Sequence, residues 1–284
     1  MCELAGVSRS GYYNWIRSVD ARHKRELQDE ADFALILEAY NYRGYAKGAR
    51  GIHMRLLHQG VRMNLKKIRR LMRKYNLFCP IRKANPYRRM AKAIRTNAVA
   101  DNRVNREFRL HGPRKILLTD ITYIPYAGTF CYLSVIKDAF TEQVLSHVLS
   151  KSLEVDFVLQ TINQLIQNYG DTLDAEVLIH SDQGCHYTSV KFRELIGNHG
   201  LRQSMSRRGN CWDNAPQESF FGHMKDELAI KQTTWVKFED VSIDIDDWMY
   251  YYNNDRGQWN LNKLTPNEFY NYITTGINPL STNG

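Results

Sequence analysis

The chain has 284 residues, enough for one large domain or two to three small ones. A hydrophobic fraction of 43% with 17 tyrosines can fill a substantial core, which excludes wholesale disorder, and no apolar run approaches the roughly 18 residues of a membrane span. The net charge of +9 is unevenly placed: residues 39–100 hold 17 Lys and Arg and no Asp or Glu, which leaves 22 basic residues against 30 acidic ones elsewhere. So long a stretch without a carboxylate is suited to neutralising the phosphates of a polyanion, although charge alone does not separate DNA from RNA.

The five cysteines (Cys2, Cys79, Cys131, Cys185 and Cys211) are odd in number, scattered and without a C-x-x-C pair, which argues against a disulfide framework or a zinc site. Residues 1–15 lack a basic start followed by an apolar stretch, so a cytoplasmic protein is expected.

In chain order, Gly6 can turn the chain and Ser8 can cap a helix carrying Tyr12, Tyr13 and Ile16. That segment resembles the second half of a helix-turn-helix, and a short capped helix packed on its neighbour fits it as well. A charged helix over 19–40 ends in the apolar face of Phe33, Ile36, Leu37 and Tyr40. Helical spacing over 52–59 is broken by Gly60, and Asn64 can cap a second helix to Tyr75, with Ile68, Leu71, Met72 and Tyr75 inward. Lys66, Lys67, Arg69, Arg70, Arg73 and Lys74 occupy the rest of it, a pattern suited to a major groove or a phosphate track. Residues 79–105, with Pro80 and Pro86, read as a basic linker.

From Lys115 the pattern changes. Strands are expected over 115–126 and 129–139 with a turn at Ala127-Gly128, then over 143–149, followed by a helix over 155–169. A strand over 176–180, a helix over 189–199 and a strand over 201–205 complete an α/β pattern. A last helix over 238–252 buries Val241, Ile245, Trp248 and Tyr252. The expected organisation is a partial helix-turn-helix and charged helix (1–32), a basic helical region and linker (33–105), a catalytic core (106–230) and a helical extension (231–284).

Three acids occupy unusual positions. Asp120 interrupts an apolar strand on the face of Ile116, Leu118, Thr122 and Ile124, where a carboxylate is costly unless paired, hydrogen-bonded or metal-bound. Asp182 follows a strand and precedes Gln183-Gly184, and Glu218 opens a helix marked by Asn214 and Pro216. Alone, each has a plainer explanation: a buried Asp bonded to Thr119 or Thr122, a turn residue, and a helix N-terminal charge favoured by the dipole. Brought together, they would make an all-oxygen site suited to Mg²⁺ or Mn²⁺.

The segments TDITYI around Asp120, HSDQGCHYTS around Asp182 and SMSRRGNCWDNAPQESFFGHMKDEL around Glu218 resemble the three blocks of bacterial insertion-sequence transposases with a retroviral-integrase-like core. The 35 residues 183–217 between the second and third acids match that superfamily's spacing. Within it, the chain resembles the downstream-frame protein of the large group typified by insertion sequence number three, almost from end to end. ELAGVSRSGYYNW, RGIHMRLLHQGVRMNLKKIRRLMRKYNL and YYNNDRGQWNLNKLTPNEFY carry the resemblance outside the core. Leu117 stands where the family often has Trp, and Cys185 and His186 where small or polar residues are common; neither departure removes an acid.

The resemblance implies a ribonuclease-H-like integrase core, a five-stranded mixed sheet with flanking helices, behind a basic all-α region. It implies Asp120, Asp182 and Glu218 as catalytic ligands of two Mg²⁺ or Mn²⁺, with cleavage at DNA 3′ ends and strand transfer as the activity. Lys225, two helical turns after Glu218 and beside Phe221 and Met224, would overlook the site and contact the element's end; a surface Lys paired with Asp226 or Glu227 is the alternative. Arg207 and Arg208 would touch phosphate from a loop. The implied partners are double-stranded DNA, further copies of the chain and the upstream-frame product. The other functions considered are a metal-dependent nuclease of the same fold, an inactive DNA-binding regulator, and a tyrosine or serine recombinase, for which no Arg and His cluster around a tyrosine is seen.

Overall fold

The computed structural model describes residues 2, 5–80, 111–173, 177–206 and 215–281. The chain divides into two units, Met1–Pro80 and Ile81–Gly284.

In the first unit Ser8 caps α1 (Arg9–Arg17) by accepting a hydrogen bond from the Gly11 N–H at 3.1 Å. No residue of α1 is buried. The next helix, α2 (Val19–Asn41), is continuous, so the boundary expected at 32/33 falls inside it. A kinked turn with Arg43 at φ 56° leads to α3 (Ala49–His58). Asn64 then caps α4 (Leu65–Lys74), accepting from the Lys66 N–H at 2.8 Å. The inward faces meet as a core of Ile36, Ala39, Ile52, Leu56, Met63, Ile68, Leu71 and Met72. Each such large apolar side chain contributes roughly 1.5–3 kcal/mol on full burial. Lys47, from the acid-free stretch, is buried, and its ammonium donates to the carbonyls of Tyr40, Tyr42 and Tyr45.

The second unit is built on five strands, β1 (Ile116–Tyr126), β2 (Thr129–Asp138), β3 (Val144–Ser150), β4 (Leu178–Ser181) and β5 (Arg202–Met205), in the order β3-β2-β1-β4-β5. The first three form an antiparallel meander; β4 and β5 run parallel to β1. Ala127 (φ 44°) and Gly128 (φ 78°) both take the left-handed conformation that a two-residue hairpin turn requires. At the end of β2, the Asp138 carboxylate accepts from the backbone of Arg114, Phe140 and Thr141 and from the Thr141 hydroxyl, fixing the return into β3.

Alternation along β1 gives the sheet two different faces. Leu117 joins Ile136, Leu145 and Ile179 in a core with Phe157, Val158, Ile162 and Leu165 of α5 (Asp156–Tyr169) and Phe192 and Ile196 of α7 (Val190–Asn198). Between β4 and α7 lies the short α6 (Cys185–Thr188). The other face carries Leu118 and, opposite it on β2, Lys137. The Lys137 ammonium donates to the Pro216 carbonyl at 3.3 Å and lies 5.2 Å from the Phe220 ring, so α8 (Ala215–Gln232) covers this side. Phe220 packs in turn on Trp248 and Tyr252 of α9 (Phe238–Asn254).

Two elements escape the sequence pattern, α6 and the last helix, α10 (Pro266–Thr275). The second was legible in principle: Thr265 and Glu268 form a capping box around Pro266. The C-terminal helices also close the open edge of the sheet. The Asn253 amide bonds both the N–H and the C=O of Val144 on β3, at 2.9 and 2.7 Å, and Gln143 bonds Asn267 at 2.8 Å.

Candidate active site

Leu118 on β1 pairs with His180 on the parallel strand β4, and Asp120 and Asp182 each stand two residues further on. Neighbouring strands lie about 4.8 Å apart, so the register brings both carboxylates to one level at the end of β4. Asp120 is half-buried and accepts from the Ile121 N–H at 2.8 Å. Asp182 is exposed, and its Oδ1 accepts from the Gly184 N–H at 2.9 Å, a local turn that aims the carboxylate. A Cβ at Gly184 would lie 2.9 Å from that oxygen, so any larger residue there would shift the Asp182 carboxylate.

Beneath the two acids lies Tyr187 on α6, fully buried, its phenol oxygen 3.4 Å from the Thr119 hydroxyl. Burial, and then the charges of Asp120 and Asp182, push its pKa well above the ordinary phenol value. The phenol therefore remains neutral and adds no negative charge under the acids. The end of β5 is tied to the same place: the Ser206 N–H donates to the Ser181 carbonyl at 2.8 Å and Gln183 Nε2 to the Ser206 carbonyl at 3.2 Å.

Glu218 is exposed in the first turn of α8, where the helix dipole favours a carboxylate. Its helix lies against the face that Asp120 shares with Leu118, joined there through Lys137 and Pro216. Next to it, Gln217 is fully buried, and neither atom of its amide has a hydrogen-bond partner among the described residues. The structure thus sets the first two acids side by side. Among the described residues, no three His, Cys, Asp or Glu side chains are gathered closely enough to hold a metal ion together.

Of the residues expected around Lys225, Phe221 and Met224 are core residues, 6% and 0% exposed. Lys225 is half-buried beside them, because α8 crosses the end of β1 at this turn; its ammonium lies 4.9 Å from the centre of the Tyr123 ring. Burial draws its pKa below the usual lysine value. Arg207 and Arg208 lie outside the described residues.

On α4 the six basic residues separate into two stripes. Arg70 makes a bidentate pair with the buried Asp29 at 2.7 and 2.6 Å, Lys74 bonds Asp29 at 2.9 Å and Glu26 at 2.6 Å, and Lys67 pairs with Asp32. Those acids belong to α2, outside the acid-free stretch, and were not visible as partners in the local sequence. The two cations hold the Asp29 carboxyl far below the usual range. Lys66, Arg69 and Arg73, at i, i+3 and i+7, form the second, exposed stripe.

Comparison with known proteins agrees with this architecture. Integrase core domain models match residues 111–211 and 199–266, and an HTH-like domain model matches 26–85. An uncharacterized transposase-like protein of Haemophilus influenzae is 31% identical over 224 residues, 78% of this chain and 98% of that protein. The chain belongs to the insertion-sequence transposases. The InsK protein for insertion sequence element IS150 of Escherichia coli K12, named as a transposase, is 30% identical over 272 residues, 95% of this transposase and 92% of that one. Among solved structures, the catalytic core domain of HTLV-2 integrase in complex with magnesium is similar at a TM-score of 0.45 and 18% identity, over 57% of this chain and 99% of that one. No helix among the described residues is long and apolar enough to cross a membrane.

Proposed function

We propose that this transposase cuts DNA to expose 3′-hydroxyls at element ends and joins those ends to other DNA, with Asp120, Asp182 and Glu218 holding two Mg²⁺ or Mn²⁺ ions. The observation that carries the reading is the β1–β4 register, which sets Asp120 beside Asp182 while α8 brings Glu218 to the Asp120 face. The donor set fits hard divalent cations: three carboxylates with no sulfur or imidazole among them. Bound there, the ion pair would supply activation of an attacking oxygen and charge stabilisation at a leaving one.

The chain's own residues present and orient the acids. Gly184 orients Asp182, and the neutral Tyr187 phenol supports both strand ends from below. With water as nucleophile, a phosphodiester is cut and a 3′-hydroxyl exposed; with that hydroxyl as nucleophile, the end is joined. No covalent protein–DNA intermediate is needed. The exposed stripe Lys66, Arg69 and Arg73 serves as the phosphate-binding face of the N-terminal unit. We propose further that the protein acts in the cytoplasm as a homo-oligomer on double-stranded DNA, together with the product of an upstream frame.

The test is strand transfer with pre-cut duplexes carrying the ends of the DNA that flanks the gene. Asp120→Ala, Asp182→Ala and Glu218→Ala should each abolish cleavage and joining while keeping the circular dichroism and DNA retention of the parent. Near-normal joining with Mg²⁺ by any one of them would remove that residue from the site.

A further inference from the structure

On the α8 side of the sheet, one row of residues crosses four strands two positions before the aspartates: Lys137 on β2, Leu118 on β1, His180 on β4 and Ser204 on β5. All four are buried, and Ser204 Oγ lies 3.0 Å from His180 Nδ1. Lys137 is the anomaly of the row. It is 3% exposed, and a buried ammonium is costly unless acceptors or anions surround it.

Its contacts lead to α8. The ammonium donates to the Pro216 carbonyl at 3.3 Å and lies 5.2 Å from the centre of the Phe220 ring, so it grips the helix two residues before and two residues after Glu218. Stability of the helix does not account for this choice. The N-terminal end of a helix carries partial positive charge, which disfavours a nearby cation. An apolar residue of similar size at this place would fill the space beneath Phe220 without burying a charge. On its other side, Lys137 is the diagonal cross-strand neighbour of Asp120 on the same face of the sheet, at a spacing of about 7–8 Å that a long side chain can span.

We propose that Lys137 is a positioning residue of the active site: its ammonium fixes the first turn of α8 on the sheet and so sets where Glu218 stands relative to Asp120 and Asp182. The inference rests on the assignment of these three acids to a metal site. Asp120 and Asp182 are placed by strand register, which backbone pairing makes exact. Glu218 rides on a helix, and the angle at which a packed helix crosses its neighbours varies by about 15–20°. A directional bond from the sheet to the second residue of α8 removes that freedom beside the carboxylate. An ammonium has no lone pair to offer a cation, so Lys137 acts through Glu218. The sign of its effect on metal binding follows. A lysine that merely neutralised the acids would weaken metal binding, and its removal would strengthen it; one that places Glu218 does the opposite.

Mn²⁺ binding by the full chain without DNA provides the test, with free Mn²⁺ read by electron paramagnetic resonance and Asp182→Ala marking the binding that belongs to the acids. Lys137→Met keeps bulk under Phe220 and buries no charge, so it should melt at or above the parent's temperature. Its half-saturating Mn²⁺ concentration should nevertheless rise about tenfold, as when a residue that orients a metal ligand is lost. Lys137→Arg, which keeps the charge and a donor, should recover part of that loss. Should Lys137→Met not fold, Lys137→Gln is read in its place against the same expectation. Mn²⁺ binding by the neutral variant equal to the parent's, or tighter, would overturn the proposal and leave the acids as the metal site. A parent that binds no more Mn²⁺ than Asp182→Ala would overturn the assignment of the acids, and this inference with it.

Discussion

The two units of this transposase use carboxylates in opposite ways. In the N-terminal unit Asp29 is buried and bonded by Arg70 and Lys74, so its charge is consumed in holding α2 against α4. In the catalytic unit the exposed Asp182 accepts a backbone N–H, and the half-buried Asp120 does the same. A carboxylate saturated by cations of its own chain is structural. One oriented by the backbone N–H of its own turn, as Asp182 is, is aimed rather than used to tie two helices together. The catalytic unit contains both kinds, since Glu227 on α8, 4% exposed, is bonded by Arg256 at 2.7–3.2 Å and by the Trp248 indole at 3.1 Å.

This contrast can be broken most severely at Glu227. Glu227→Ala leaves the partly buried Arg256 guanidinium without its carboxylate, with the Gln258 carbonyl still bonded, which costs up to about 3–5 kcal/mol. The expected result is a large loss of thermal stability in the catalytic unit, read by calorimetry, with little effect on the N-terminal unit. Unchanged melting would mean that the pair is not structural.

Asp29 gives a milder test through pH. Its carboxyl is held far below the ordinary value of about 3.9, so the stabilisation is fully present above that value and is lost as pH falls below it toward the folded-state pKa. Unfolding of residues 1–80, followed within the full chain by hydrogen exchange, should therefore steepen below about pH 4. Asp29→Asn should flatten that acid limb and lower stability at neutral pH.

The stripes of α4 provide a paired comparison of smaller effects. Reversing charge at Lys66, Arg69 and Arg73 should leave stability nearly unchanged and reduce the salt dependence of DNA binding, by about 0.9 in log–log slope for each phosphate that is no longer neutralised. Reversing Lys67, Arg70 and Lys74 should destabilise the unit first, by setting like charges against Asp32, Asp29 and Glu26. If the two triple variants changed stability and salt slope alike, the division between the stripes would be wrong. The smallest structural change proposed is Gly184→Ala. Its added methyl must displace the Asp182 carboxylate, so strand transfer should fall by about tenfold or more while the melting temperature moves little.

The sequence alone determined the order of most elements, α6 and α10 excepted, and the identity of the candidate acids. The period of apolar residues and the caps at Ser8 and Asn64 are local, and local signals survive without a fold. The three motif blocks with their 35-residue gap carried the family in the same way. Tertiary structure decided which charges are available. Three of the six basic residues on α4 are matched by acids 35 to 48 positions earlier, a pairing that exists only once α2 and α4 pack. It likewise buried Phe221 and Met224 in the core and set Lys225 on Tyr123. Helical spacing gives the direction of a side chain around its own axis, but what it meets there depends on how α8 crosses β1, and that follows from the packing of the whole sheet.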